Sequence, residues 1–195
     1  MYIAIEGIDT AGKSTQIANL KKRYSDAIFT KEPGGSALGI KIRELILNGE
    51  VKSSKAELML FLADRAEHVK EVIRPNSQKM IISDRSAVSG MAYAMATKEF
   101  AHEDLTILHR FSTDNFLPDV VFILELPSDE LNNRLSKKIH DNIESRGQKY
   151  LLEIQSLLKK ACELLRIRYI VVDASKNIEE ITDLIDMDLR ISGGL

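Results

Sequence analysis

The sequence predicts an α/β fold, a parallel sheet of five strands flanked by helices on both faces. Two observations carry this reading. Five short apolar runs are rich in Ile and Val and do not alternate cleanly with polar residues, which is how strands buried on both faces read. Helical apolar patterns fill the gaps between them, and strand alternating with helix implies a parallel sheet with both faces covered. The runs are Tyr2–Glu6 (YIAIE), Ala27–Thr30 (AIFT), Met80–Ser83 (MIIS), Val120–Leu126 (VVFILEL) and Tyr169–Val172 (YIVV).

Between the first two runs, Ile17, Leu20 and Tyr24 share one helical face. Leu38, Ile42, Leu45 and Ile46 make a second stripe. Leu58, Phe61, Leu62 and Arg65 line a longer helix that should stop before Pro75. This helix is apolar nearly all round, which suits a core or a subunit interface. Leu151, Ile154, Leu158, Ala161 and Leu165 form a further face, and Ile178, Ile181 and Ile185 close the chain. Ligands of parallel sheets sit at the carboxyl ends of the strands. Three polar segments begin there: Gly7–Ser14, Lys31–Ser36 and Asp84–Ser89. They are expected to converge.

The first of these segments, with its neighbour Thr15, reads GIDTAGKST. Gly7, four residues, Gly12, Lys13 and Ser14 match the phosphate-binding loop pattern. Its glycines let backbone N–H groups curl inward toward phosphate oxygens, and the helix that follows adds its positive amino end. Lys13 would neutralise the β- and γ-phosphates of a nucleoside triphosphate, and Ser14 would offer a hydroxyl to Mg²⁺. The ATP-binding residues are therefore expected at Gly7, Ile8, Asp9, Thr10, Ala11, Gly12, Lys13, Ser14 and Thr15. The guanine-reading Asn-Lys-x-Asp of switch GTPases is missing. The third strand run ends in Ser83-Asp84-Arg85, where a carboxylate can hold the metal's water shell and an arginine points to a second anion.

Composition bounds the rest. The 195 residues suit one domain spanning 1–195. The net charge of −2 argues against a protein that coats nucleic acid. A single cysteine, Cys162, excludes an intrachain disulfide and fits a reducing, cytoplasmic setting; its apolar neighbours make it a buried structural thiol. The amino terminus MYIAIEG carries no charged leader, and no run reaches the roughly 18 apolar residues of a membrane span. The four histidines show no metal spacing.

A second site is legible after the second strand, where Lys31-Glu32-Pro33-Gly34-Gly35 reads as a turn and a candidate wall. Arg43 lies one helix on. Phe61 and Arg65, four apart in LMLFLADR, share a helical face and would stack on a base and donate to its carbonyl.

GIDTAGKST, TKEPGG, LMLFLADRAEHV and SDRSAVSGMAY, in this order and spacing, resemble the thymidylate kinase family from Met1 to about Val121, and more weakly beyond. The resemblance implies a P-loop kinase fold, a homodimer, and transfer of the γ-phosphate of ATP to dTMP with Mg²⁺. It implies that Asp9 lies near the sugar and acceptor, and Glu32 near the metal and acceptor sugar. Phe61 would stack on thymine, Arg65 would face its O4, and Arg43 and Arg85 would grip the dTMP phosphate. Tyr93 would crowd the sugar 2′ position, with Pro33, Ser89 and Gly90 completing the acceptor site. Metal contacts would come from Ser14, Asp84 and Glu32, and Arg134 would lie against adenine. A lid would span about 136–148, and its transition-state cation would be Lys137, Lys138 or Arg146, acting with the catalytic Lys13, Arg85 and Asp9. Two positions depart from the family pattern: Gly90, often Ser or Asn, and Ala94, often Gln in bacterial members. A kinase for another nucleoside monophosphate and a non-transferring nucleotide switch stay open as alternatives.

Overall fold

The computed structural model describes residues 1–136 and 147–193. Five strands form one parallel sheet: β1 (Tyr2–Gly7), β2 (Ile28–Lys31), β3 (Ile81–Asp84), β4 (Val120–Glu125) and β5 (Arg168–Asp173). Their order is β2-β3-β1-β4-β5. Each strand lies within one residue of its sequence expectation at either end. Strand β1 is central and buried along its whole length, paired to β3 from Tyr2↔Ile81 and to β4 from Ile3↔Val120. From β1 the chain first crosses to the edge strand β2, comes back to β3 between them, and then passes to the other side of β1 for β4 and β5. The reversal beside β1 opens a crevice at the carboxyl ends of the strands.

Eight helices are described: α1 (Lys13–Arg23), α2 (Ala37–Leu47), α3 (Ser54–His68), α4 (Ala87–Ala96), α5 (His102–Ser112), α6 (Ser128–Leu135), α7 (Gln148–Leu165) and α8 (Ile178–Gly193). Helices α4 and α7 pack on each other and on β1, while α1 and α8 pair with each other, with α1 on β1 and β3 and α8 on β5. The main core runs through Ile3, Ile5, Ile82, Phe122 and Ile123 of the sheet and Met91, Leu151, Leu158 and Cys162 of the helices. Cys162 is fully buried, and burial pushes its thiol well above the usual range, so it is the inert structural thiol expected.

Local chemistry explains several helix ends. Ser36, Ser53 and Ser86 cap α2, α3 and α4 by accepting from the backbone N–H groups of Gly39, Ala56 and Val88. Helix α1 is fastened by α8: Gln16 Nε2 donates to Ile178 O at 3.1 Å and Thr182 Oγ1 to Gln16 Oε1 at 2.8 Å. The Arg23 guanidinium also meets Asp183 and Asp186. The helix behind the phosphate loop is thus held from its outer side.

Two expectations need revision. The third helix does not simply stop before Pro75. It ends at His68, continues as a π turn (Val69–Ile73), and closes with a 3₁₀ turn (Arg74–Asn76) that accommodates Pro75 in its first positions, where a missing N–H costs little. Of the α2 stripe, only Ile42 is buried, whereas Leu38 and Leu45 are exposed. Periodicity found the helix, but α2 packs mainly against α3 at the rim and not against the sheet.

Candidate active site

The phosphate loop begins where β1 gives out. Gly7 has φ +150°, and a Cβ there would lie 2.8 Å from Leu124 O, so only glycine lets the chain turn this close to β4. Lys13 opens α1 with a buried side chain. Its Nζ donates to Gly7 O at 3.1 Å and Ile8 O at 3.0 Å, and lies 3.6 Å from Asp9 Oδ1. Burial, helped by the neighbouring Arg85 charge, pushes its ammonium down to about 8. A polyphosphate in this loop would supply the negative charge that keeps the lysine protonated.

Arg85 ties this loop to the opposite wall. It follows β3 with φ 71°, a left-handed conformation that costs a non-glycine residue roughly 1–2 kcal/mol. Its Nη2 donates to Asp9 Oδ1 at 2.7 Å, and its Nη1 to Gly7 O at 3.2 Å and Ser89 Oγ at 3.0 Å. The guanidinium carbon lies 5.7 Å from the centre of the Tyr93 ring. Behind this layer, the fully buried Glu6 accepts from Ser86 Oγ at 2.8 Å, from Ser89 N at 3.2 Å and from Ser89 Oγ. Burial raises the Glu6 carboxyl, against the opposing pull of Arg85 and these hydroxyls.

The second wall is a buried polar network. Glu32, at the end of the β2 segment, receives Arg65 Nε at 2.8 Å on one oxygen and His68 Nδ1 at 2.9 Å on the other. Burial favours its neutral form, but Arg65 and then His68 outweigh this and hold the carboxyl down at about 2. His68 Nε2 meets Thr30 Oγ1 at 2.7 Å, and Arg65 Nη1 meets His109 Nδ1 at 2.9 Å. Asp64 Oδ1 accepts from Gly34 N at 2.8 Å, and Arg43 Nη1 donates to Pro33 O at 3.2 Å, so the Pro-Gly-Gly turn is pinned from α2 and α3.

These walls enclose a cleft of about 760 Å³. It is lined by Asp9, Thr10, Gly12, Lys13, Ser14 and Thr15 at one end, and by Glu32, Pro33, Arg43, Phe61, Arg65, Arg85, Ser89, Gly90 and Tyr93 beyond. Gly7, Ile8 and Ala11 shape the loop from behind, and Asp84 sits beside it at the end of β3. Arg134 does not line the cleft. It donates to Thr10 O at 3.0 Å and Ala174 O at 2.8 Å, bracing the loop against the segment after β5. Lys137, Lys138 and Arg146, and with them most of the expected lid, lie outside the described residues.

Sequence reasoning missed Tyr150, Phe100 and Glu57, which also line the cleft, and the supporting Glu6, Asp64 and His109. Glu6 left a signal: a carboxylate inside an otherwise apolar central strand needs partners. His109 left none, because its partner Arg65 is 44 residues away.

The residues present fit a magnesium ion. Among the described residues, Asp84 Oδ1 and Thr10 Oγ1 are buried without a hydrogen-bond partner, and Ser14 presents an exposed hydroxyl at the amino end of α1. These are hard oxygen donors. No group of three or more His, Cys, Asp or Glu that could hold a metal occurs among the described residues. Both Glu32 oxygens are engaged by Arg65 and His68, so a magnesium ion here would find its protein contacts at Ser14 and Asp84.

Residues 5–185 match the family model described as thymidylate kinase. The chain is 56% identical over 191 residues to a thymidylate kinase of Sulfurimonas denitrificans, covering 98% of this chain and 100% of that protein. It is 58% identical over 181 residues to a thymidylate kinase of Wolinella succinogenes, covering 93% and 94%. The crystal structure of a thymidylate kinase from Ehrlichia chaffeensis superposes with a TM-score of 0.76 at 24% identity, covering 97% of this chain and 98% of that one, and shares the fold. A phosphate loop, an arginine facing it from β3 and a second polar wall on one parallel sheet are thus accompanied by full-length likeness, and the chain belongs to the thymidylate kinase family.

Proposed function

We propose that the cleft binds ATP at the phosphate loop and dTMP between Arg85 and the Phe61–Arg65 face, with Arg85 at the junction. As a family member, the chain is an ATP-dependent nucleoside monophosphate kinase that transfers the γ-phosphate of ATP to dTMP, giving dTDP for dTTP synthesis. One observation carries the placement: Arg85 contacts both the phosphate loop, through Gly7 and Asp9, and the acceptor wall, through Ser89.

The chemistry follows from charge. The acceptor is already a phosphate with a second pKa of about 6, so it is mostly dianionic at neutral pH and needs no strong base. The obstacle is bringing two anions into line. Lys13 and Arg85, which both contact Gly7 O and Asp9 Oδ1, would neutralise them together, and Asp9 fixes the Arg85 fork. Mg²⁺ held by Ser14 and Asp84 would add charge neutralisation on the β- and γ-phosphates. A lid cation, from Lys137, Lys138 or Arg146, would complete the set and help exclude water that would otherwise hydrolyse ATP. In the acceptor half, Phe61 is half-buried beside the cleft and available for stacking, and the Tyr93 ring, which stands against Arg85, would face the sugar.

The chain is further read as a cytoplasmic homodimer that binds neither nucleic acid nor membrane. Met59 on α3 and Ile107 and Phe111 on the neighbouring α5 are 53%, 64% and 80% exposed, an apolar cost that a second copy would remove. No described helix is long and apolar enough to cross a membrane.

The test is coupled ADP release with ATP and Mg²⁺, offering dTMP, dUMP, UMP, dCMP, dGMP and AMP in turn. A strong preference for dTMP is expected. Preference for another monophosphate would move the acceptor assignment, and release that no acceptor stimulates would overturn the transfer reading.

A further inference from the structure

Gly90 lies on α4 facing the second wall. A Cβ built there would sit 2.7 Å from Arg65 Nη2, 3.0 Å from Arg65 Nη1 and 3.0 Å from His109 Cε1. Any side chain would displace the guanidinium or the imidazole. The volume that a larger residue would take is therefore occupied by an Arg65–His109 pair.

Arg65 is gripped from three elements. Nε donates to Glu32, Nη1 to His109 on α5, and Nη2 to Ser86 O at the α4 cap, 3.4 Å away. A guanidinium carries five N–H donors and no acceptor, so these contacts fix its plane and leave further N–H groups for the cleft it lines. Because arginine can only donate, His109 Nδ1 must be the acceptor, and the ring is the neutral tautomer with its proton on Nε2. Burial, and then the adjacent Arg65 charge, push His109 down to about 3. That Nε2–H is buried and has no partner among the described residues. A side chain serving only to fill space would be apolar and free of this cost.

We propose that His109 is a positioning residue for acceptor-base recognition, its Nδ1 holding the Arg65 guanidinium, in the space Gly90 leaves open, with N–H groups directed at a pyrimidine carbonyl. The inference rests on the acceptor placement proposed above. An arginine so fixed favours a base with a 4-carbonyl acceptor and disfavours one with a 4-amino donor. The dTMP-over-dCMP ratio is therefore its specific readout.

The experiment is steady-state kinetics at saturating ATP and Mg²⁺ on full-length His109→Leu, His109→Asn, Gly90→Ala and Arg65→Lys, with thermal melts alongside. His109→Asn keeps an acceptor oxygen close to the Nδ1 position. His109→Leu is expected to raise KM for dTMP about tenfold, the effect of losing one hydrogen bond to a charged group, with KM for ATP unchanged. The dTMP-over-dCMP ratio of kcat/KM should fall with it, and His109→Asn should restore most of both. Equal behaviour of the Leu and Asn variants, or an unchanged ratio in His109→Leu, overturns the role. If His109→Leu does not fold, Gly90→Ala decides: a raised KM for dTMP with a lowered ratio supports the pair, and wild-type values overturn it. Arg65→Lys separates the two levels. If it alone shifts KM for dTMP, the acceptor placement stands and the His109 role fails. If it leaves KM for dTMP unchanged, the placement itself fails and the His109 role falls with it.

Discussion

Arg85 Nη2 donates to Asp9 Oδ1 at 2.7 Å, joining the end of β3 to the middle of the phosphate loop. The acid is thus committed to orienting a cation and is poorly placed to act as a base. Asp9→Asn should lower transfer about tenfold, as expected for loss of one charge-assisted hydrogen bond. Combined with Arg85→Lys, the loss should be non-additive by about 0.5–3 kcal/mol, read as a double-mutant cycle on kcat/KM.

Glu32 should matter first for stability. Glu32→Gln leaves the buried Arg65 without its charge partner, a change that costs roughly 3–5 kcal/mol in comparable pairs. The Glu32 carboxyl is held at about 2, below its ordinary 4.5. The unfolded chain therefore binds the extra proton between those values, and the stabilisation, complete above pH 4.5, is lost as pH falls toward 2. Urea unfolding of wild type and Glu32→Gln across this range should converge at the acid end.

His109 should impose a separate, milder acid sensitivity. Its imidazole is depressed from 6.5 to about 3, so its contribution is complete above pH 6.5 and declines as pH falls toward 3. The slope cannot exceed about 1.4 kcal/mol per pH unit for one proton. Unfolding of His109→Asn should be flatter than wild type between pH 7 and 5, where Glu32 is not yet titrating.

Ser14→Ala should raise the Mg²⁺ concentration for half-maximal ADP release by about tenfold, in line with the usual cost of disturbing a metal's oxygen environment. EDTA should stop ADP release by wild type, and added Mg²⁺ should restore it.

The sheet was legible because its strands are contiguous Ile- and Val-rich runs, each closed by a polar turn. The cleft was legible where its residues fall in short segments, as in Gly7–Thr15 and Lys31–Ser36. Pairings across long separations were not. Phe61 and Arg65 do share a face of α3 and both line the cleft, yet Arg65 is only 2% exposed, held between Glu32 and His109. Spacing along one helix carries no information about a histidine on α5. Leu38 and Leu45 show the complementary limit, because an apolar stripe marks a helix without saying what covers it.

The most direct test of the two-anion cleft is Arg85→Ala, measured twice: the dissociation constant for a non-hydrolysable ATP analogue with Mg²⁺, and the single-turnover rate of transfer to dTMP. With Arg85 at the junction of the anions, transfer should fall about 10²-fold or more while analogue binding changes by no more than about threefold. Near-normal transfer, or a loss confined to analogue binding, would contradict the account.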